Sequence, residues 1–322
     1  MKRFCLIGER LSHSLSAVIH TRLFELLGVQ GSYELRELSP AEAASAAHRL
    51  MEEGYDGFNV TIPYKEVILS QLSGLSPEAA AIGAVNTVAI GRTARGLDAH
   101  PAHRPTDSRK SENGAPGQPS PCKPLAGGQS EGERLPEGSG LYGYNTDYAG
   151  FGQMLKSAGI DPAGGVAAVL GTGGAYRAVA AWLLDRGVKR LYAVTRHPSQ
   201  TGEKASLPGW REDDRLQVIG YDALEEISGA LLVNATPVGM FPHTAISPVG
   251  EQILSKFDAA ADLIYNPRET EFLRLARRAG KPAVNGLSML VAQAVAAQQI
   301  WLGRSIDPAV VDTLTGELAG RF

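Results

Sequence analysis

The sequence predicts an α/β protein made of two α/β domains, and three observations carry that prediction. Short β-type apolar runs alternate with stretches of helical apolar spacing along almost the whole chain. That pattern belongs to a parallel or mostly parallel sheet with helices on both faces. The glycine-rich turn Gly171-Thr172-Gly173-Gly174-Ala175 stands between one such run and one such helix, as in a dinucleotide-binding fold. Finally, 322 residues, 43% of them hydrophobic, suffice for two compact cores.

Taken in order, Phe4–Ile7 is a β-type run, and Leu15, Val18, Ile19, Leu23, Leu26 and Leu27 recur at helical spacing. Tyr33–Leu38 reads as strand, 41–53 as helix, and 57–62 and 84–90 as strands. A short strand ends near Thr146 and a helix follows through Leu155. Beyond it come strand 166–170, helix 174–185, strands 190–195, 216–219, 230–235 and 261–265, and a helix over 288–302. Residues 91–140 break the alternation. Gly, Pro and Ser supply 21 of these fifty positions, and large apolar residues are almost missing. Such a stretch cannot bury enough surface to offset its ordering entropy, so it reads as a disordered insertion at a hairpin tip.

The net charge of −3 implies no basic face and argues against nucleic acid as a partner. No run reaches the length of a membrane span, and Val291–Leu302 is interrupted by Gln293, Gln298 and Gln299. The opening run is too short for a signal-peptide core. Of the two cysteines, Cys5 reads as a buried hydrophobe and Cys122 as an exposed thiol, which fits a reduced, cytoplasmic protein.

Five motifs bear chemistry. In the glycine-rich turn, backbone N–H groups and a helix N-terminus can meet a pyrophosphate, although Tyr176 stands where a strict fingerprint has its third glycine. The next strand ends in Thr195-Arg196, where an acidic residue would accept from a free ribose 2′-hydroxyl. An arginine suits a 2′-phosphate, hence NADP(H). Lys65 follows the run Asn59-Val60-Thr61-Ile62-Pro63 at a strand end, where α/β proteins bind ligands, although most such lysines are simply solvated. Asp147, in Gly143-Tyr144-Asn145-Thr146-Asp147, reads equally as a helix cap. Ser12, His13, Ser14 and Ser16 cluster at a helix start, where hydroxyls can cap the helix or hold a carboxylate.

In this order the motifs resemble the shikimate dehydrogenase family over nearly the whole chain outside the insertion. Besides those above, the resemblance rests on Gly83-Ala84-Val85-Asn86-Thr87, on Asn234–Met240, on Asp262, Tyr265, Pro267 and Thr270, and on Gly286, Met289, Leu290 and Gln293. It implies a discontinuous substrate domain (1–147 and 287–322), a Rossmann NADP-binding domain (148–286), and a cleft between them. The implied reaction is reversible NADPH-dependent reduction of 3-dehydroshikimate to shikimate by a monomer or homodimer. The resemblance implies Lys65 and Asp147 as the catalytic pair. It has Ser14 and Ser16 hold the substrate carboxylate, and Thr61, Asn86, Asp147, Tyr265 and Gln293 complete the substrate site. On the cofactor it implies Gly171 to Ala175, Thr195, Arg196, Asn234, Thr236, Met240 and Gly286. Thr195 and His197 depart from the asparagine and threonine that usually flank the arginine. Alternatives are a quinate or aminoshikimate enzyme of the same superfamily, and an NADP-sensing module without turnover. Intact Lys65 and Asp147 argue against the module.

Overall fold

The structure, a computed structural model, describes residues 1–12, 14–91, 140–211 and 213–321. His13, Cys122 and the insertion, apart from its end glycines Gly91 and Gly140, lie outside the described residues.

Six strands form the first sheet: β1 (Lys2–Gly8), β2 (Gly31–Glu37), β3 (Gly57–Val60), β4 (Gly74–Leu75), β5 (Thr87–Ile90) and β6 (Leu141–Tyr144), in the order β2-β1-β3-β5-β6-β4. Helices return the chain between β1, β2 and β3, so β1 pairs in parallel with both neighbours. The sheet is nonetheless mixed, because β5 runs antiparallel to β3 and to β6. Ile90 pairs with Leu141, and Gly91 N donates to Gly140 O at 2.9 Å, so the insertion does emerge from a hairpin end.

The second sheet holds β7 (Val166–Leu170), β8 (Arg190–Val194), β9 (Leu216–Ile219), β10 (Gly229–Asn234), β11 (Phe257–Asp262) and β12 (Ala283–Val284). Its order is β12-β11-β10-β7-β8-β9 and every pairing is parallel. This is the doubly wound dinucleotide-binding order, with its switch point between β7 and β10. Both faces are covered. Ala167, Val169, Leu231 and Val233 enter one core, and Ala168, Leu170, Leu232 and Ala260 enter the other. Strands buried on both faces read as continuous apolar runs, which is why β7 is so plain in the sequence.

Two helices, Thr146–Ser157 and Leu287–Leu302, carry the chain into and out of the second half, and they pack on each other. Their approach is close: a Cβ on Gly150 would lie 2.8 Å from Met289 O. Leu287–Leu302 is buried nearly all round, against Ile19 and Leu23 on one side and Phe4 on another.

Several elements differ from expectation. The helix expected over 41–53 is two, Pro40–Ala43 and Ala46–Glu52, because Ser39 and Glu42 close a capping box over the first short turn. The strand expected over 261–265 lies at Phe257–Asp262. Its alanines fit between β10 and β12, and the more apolar-looking Leu263–Tyr265 follows the strand end. Among the described residues no helix is long and apolar enough to cross a membrane.

Candidate active site

Strand ends of the first sheet assemble the polar cluster. Lys65 sits in the turn after β3, and Asp147 lies in the first turn of helix Thr146–Ser157, where a carboxylate complements the helix dipole. Lys65 Nζ donates to Asp147 Oδ2 at 2.5 Å, with the side chains 14% and 5% exposed. A charged pair withdrawn this far from water interacts more strongly than a surface pair. The capping role considered for Asp147 is not seen: the N-cap is Asn145, which makes no side-chain cap bond and instead donates to Ala84 O at 2.9 Å.

Asn86, 3% exposed, precedes β5. Its Oδ1 accepts from Thr146 N at 2.8 Å, Thr146 Oγ1 at 3.1 Å and Thr87 Oγ1 at 3.1 Å. Its Nδ2 donates to Gln293 Oε1 at 3.4 Å, so helix Leu287–Leu302 closes this side of the site. Thr61 leaves β3 with its N–H on Ile7 O, and its methyl lies against Gly8, where a Cβ would approach to 2.6 Å. Ser14 Oγ donates to Ser16 Oγ at 3.1 Å and accepts Ser16 N at 3.2 Å, which puts both hydroxyls at the N-terminus of helix Ser16–Leu27. Tyr265 is half-buried against the Ile19–Leu23 cluster, and burial raises its phenol pKa.

The facing side belongs to the second sheet. Gly171 takes φ +88°, a left-handed conformation that suits glycine, and a Cβ there would sit 2.8 Å from the Thr236 methyl. Gly173 has open space where a side chain would stand, and helix Tyr176–Asp185 begins directly after Ala175. Tyr176, in place of the third glycine, turns inward, is fully buried and donates to Ala205 O at 3.2 Å. An added Cβ on Gly174 would meet the Ile62 side chain at 2.7 Å, so the glycine-rich turn lies close to the Lys65 turn across the cleft. These features fit a dinucleotide: main-chain groups at a helix N-terminus, with open space at Gly173.

Behind that turn, buried Asn234 donates to Asp262 Oδ1 at 3.0 Å and accepts from Thr236 N and Oγ1 at 3.0 and 2.7 Å. Asp262 also accepts from Thr270 Oγ1 at 2.6 Å and Ile264 N at 3.1 Å. Burial raises its pKa to about 7 in spite of those three donors. Asn234 therefore braces the loop that carries Thr236. Gly286 packs so closely on Leu263 that a Cβ would be 2.1 Å from the Leu263 carbonyl oxygen. Thr172 and Ala175 lie in the turn itself. At the end of β8, Thr195 meets Thr201 Oγ1 at 3.3 Å, and exposed Arg196 is near enough to Tyr221 to lower its phenol pKa against the burial that raises it. Met240 is 46% exposed, on the loop after β10.

Motif reading gave no role to Arg177. Its Nη1 donates to Ile82 O at 3.4 Å and its Nη2 pairs with Glu66 Oε2 at 3.5 Å, linking the second half to the residue after Lys65. The local signal is a cation in a helix's first turn, which runs against the helix dipole and calls for a partner.

A buried lysine–carboxylate pair at strand ends, across a cleft from a glycine-rich turn in a dinucleotide-ordered sheet, defines a nicotinamide-dependent oxidoreductase. Residues 6–88 match the shikimate dehydrogenase substrate binding domain. The chain is 36% identical over 322 residues to the shikimate dehydrogenase (NADP(+)) of Clostridium beijerinckii, covering 100% of both chains. Among solved structures it superposes on a chorismate mutase/shikimate 5-dehydrogenase fusion protein from Clostridium acetobutylicum with a TM-score of 0.79, at 36% identity and 100% and 98% coverage. The shikimate 5-dehydrogenase of Thermus thermophilus in complex with NADP(H) and shikimate gives 0.73 at 32% identity, with 98% and 99% coverage. The chain belongs to the shikimate dehydrogenase family.

Proposed function

We propose that this chain catalyses the reversible, NADPH-dependent reduction of 3-dehydroshikimate to shikimate, the chemistry named for its relatives, within aromatic amino acid (chorismate) biosynthesis. The observation that carries the reading is the Lys65–Asp147 pair, set at the strand ends beside the glycine-rich turn. NADPH supplies the hydride when bound. As negative charge develops on the substrate's C3 oxygen, the Lys65 ammonium donates a proton to it and reclaims one in the oxidation direction. Asp147 keeps that ammonium aimed and takes a ring hydroxyl as acceptor. Ser14 and Ser16 donate to the substrate carboxylate, and Thr61, Asn86, Tyr265 and Gln293 enclose the ring. On the cofactor, Gly171 to Ala175 receive the pyrophosphate and Thr195 and Arg196 the 2′-phosphate. Asn234, Thr236, Met240 and Gly286 shape the nicotinamide side.

The proposal divides the chain into a substrate domain of 1–147 and 287–322 and a cofactor domain of 148–286, and places it in the cytoplasm as a monomer or homodimer. The deciding assay follows absorbance at 340 nm with shikimate plus NADP and then with quinate plus NAD. Turnover with the first pair at much the higher kcat/KM is the expected result, and preference for quinate overturns the substrate assignment.

A further inference from the structure

Tyr33 lies on β2, outside every motif that carries the family resemblance. Its hydroxyl donates to Asn59 Oδ1 at 2.7 Å. The Asn86 carbonyl, which can only accept, gives the Asn59 amide its orientation: Nδ2 donates to Asn86 O at 3.1 Å and to Thr87 Oγ1 at 2.9 Å, and the phenol supplies the matching donor that holds Oδ1. Thr87 Oγ1, having accepted, donates onward to Asn86 Oδ1 at 3.1 Å. Asn86 Oδ1 also takes Thr146 N, and Asn86 Nδ2 is left on the side of Gln293. Donor and acceptor thus alternate in one direction from the phenol to Asn86. The two ends of an amide have nearly the same shape and opposite hydrogen-bonding character; the Thr146 N–H fixes which end of Asn86 is Oδ1, and the chain from the phenol reinforces that end and holds it in place.

The phenol is itself held. Tyr33 is 9% exposed and stacks on His20 with ring centroids 4.1 Å apart and planes 6° apart. Gln298 Nε2 lies 2.9 Å from His20 Nδ1. Burial lowers the His20 pKa to about 3 and raises the Tyr33 phenol well above its usual value, so the ring is neutral and the hydroxyl keeps the proton it donates.

We propose that Tyr33 is a positioning residue for the substrate: it touches neither substrate nor cofactor, and through Asn59 and Thr87 it braces the position in which Asn86 is presented. The inference rests on the shikimate reading above. Tyr33→Phe keeps the stacked ring and removes only the donor. It should raise the KM for shikimate about tenfold, leave kcat within about threefold, and leave the KM for NADP unchanged. In an Asn86→Ala background the same substitution should cost less than in the wild type, because the group it braces is gone. An unchanged shikimate KM, a parallel rise in the NADP KM, or an equal cost in both backgrounds overturns the proposal. A wild type that does not turn over shikimate sinks the functional reading instead. The relay is then judged by NMR. Asn59 side-chain amide protons should exchange about tenfold faster in Tyr33→Phe than in the wild type, and equal rates overturn it.

Discussion

The two strand-end crevices of this molecule are built from different materials. In the first half the residues proposed to meet the substrate are side chains held by neighbours: Lys65 on Asp147, Asn86 on Thr146 and Ser14 on Ser16, with the Thr61 methyl against Gly8. The second half presents mainly backbone, in the turn Gly171–Ala175, and keeps its buried polar residues Asn234, Asp262 and Thr270 behind the surface as braces. The difference follows from the ligands. A ring with several hydroxyls and a carboxylate is distinguished from its isomers only by placed donors and acceptors, whereas a pyrophosphate asks for main-chain N–H groups and room. Single side-chain substitutions should therefore be costly and local in the first crevice. In the second they should matter chiefly at Arg196.

The largest effect should come from Lys65→Ala, with kcat lowered by roughly 10²–10⁴-fold while folding and NADP binding persist. Steady-state kinetics beside cofactor titration checks it, and more than about a tenth of wild-type kcat would place proton transfer elsewhere. Next, Arg196→Asp should weaken NADP binding about a hundredfold, near 2.7 kcal/mol, and spare NAD. Nicotinamide fluorescence reads both constants. If NADP affinity is unmoved, another group holds the 2′-phosphate, or none does, and Arg196 is no exception to the contrast. Ser16→Ala should weaken shikimate binding by roughly ten- to a hundredfold, the worth of a hydrogen bond to a charged group. An unaltered affinity by calorimetry would leave Ser16 a mere helix residue.

A smaller effect concerns the braces. The folded-state pKa of Asp262, about 7, is above the ordinary carboxylate value of 3.8, so the native state binds more protons than the unfolded chain between those limits. Its contribution to stability is full below pH 4 and is lost as pH rises through 7. Asp262→Asn should flatten that slope in melting temperature from pH 4 to 7, and an equal slope in both proteins would mean that Asp262 does not titrate there. The smallest effect should follow replacement of residues 92–139 by a short turn. Gly91 and Gly140 already meet, and loop closure entropy changes slowly with length, so kcat and melting temperature should hold. Loss of turnover in a folded deletion would give the segment a working role.

Legibility in the sequence follows burial. β7 and β8 are sandwiched between helices and show as apolar runs, to within a residue. The two-residue edge strands β4 and β12 carry too few residues for any period to emerge. The terminal helix Ala309–Ala319 and helix Glu271–Arg278 escape a reading by apolar period. β11 is expected four residues too late, because alanine signals a strand weakly wherever neighbours, not propensity, decide. Lys65 and Asp147 are 82 positions apart, and no local pattern pairs them. Only the ordered set of motifs does. Tyr33 is invisible for the opposite reason: an edge-strand tyrosine is ordinary, and its partner emerges only when β1, β2 and β3 are laid side by side.

The packed helices Thr146–Ser157 and Leu287–Leu302 have a mechanical consequence. They are the two places where the chain passes between its halves, and Asp147 stands on one and Gln293 on the other. With Gly150 letting them touch, they form a fulcrum. A rigid arm swung about a fulcrum displaces its far end most and its pivot least. Opening of the second half would therefore carry the glycine-rich turn through an arc, while Asp147 and Gln293 stay almost still.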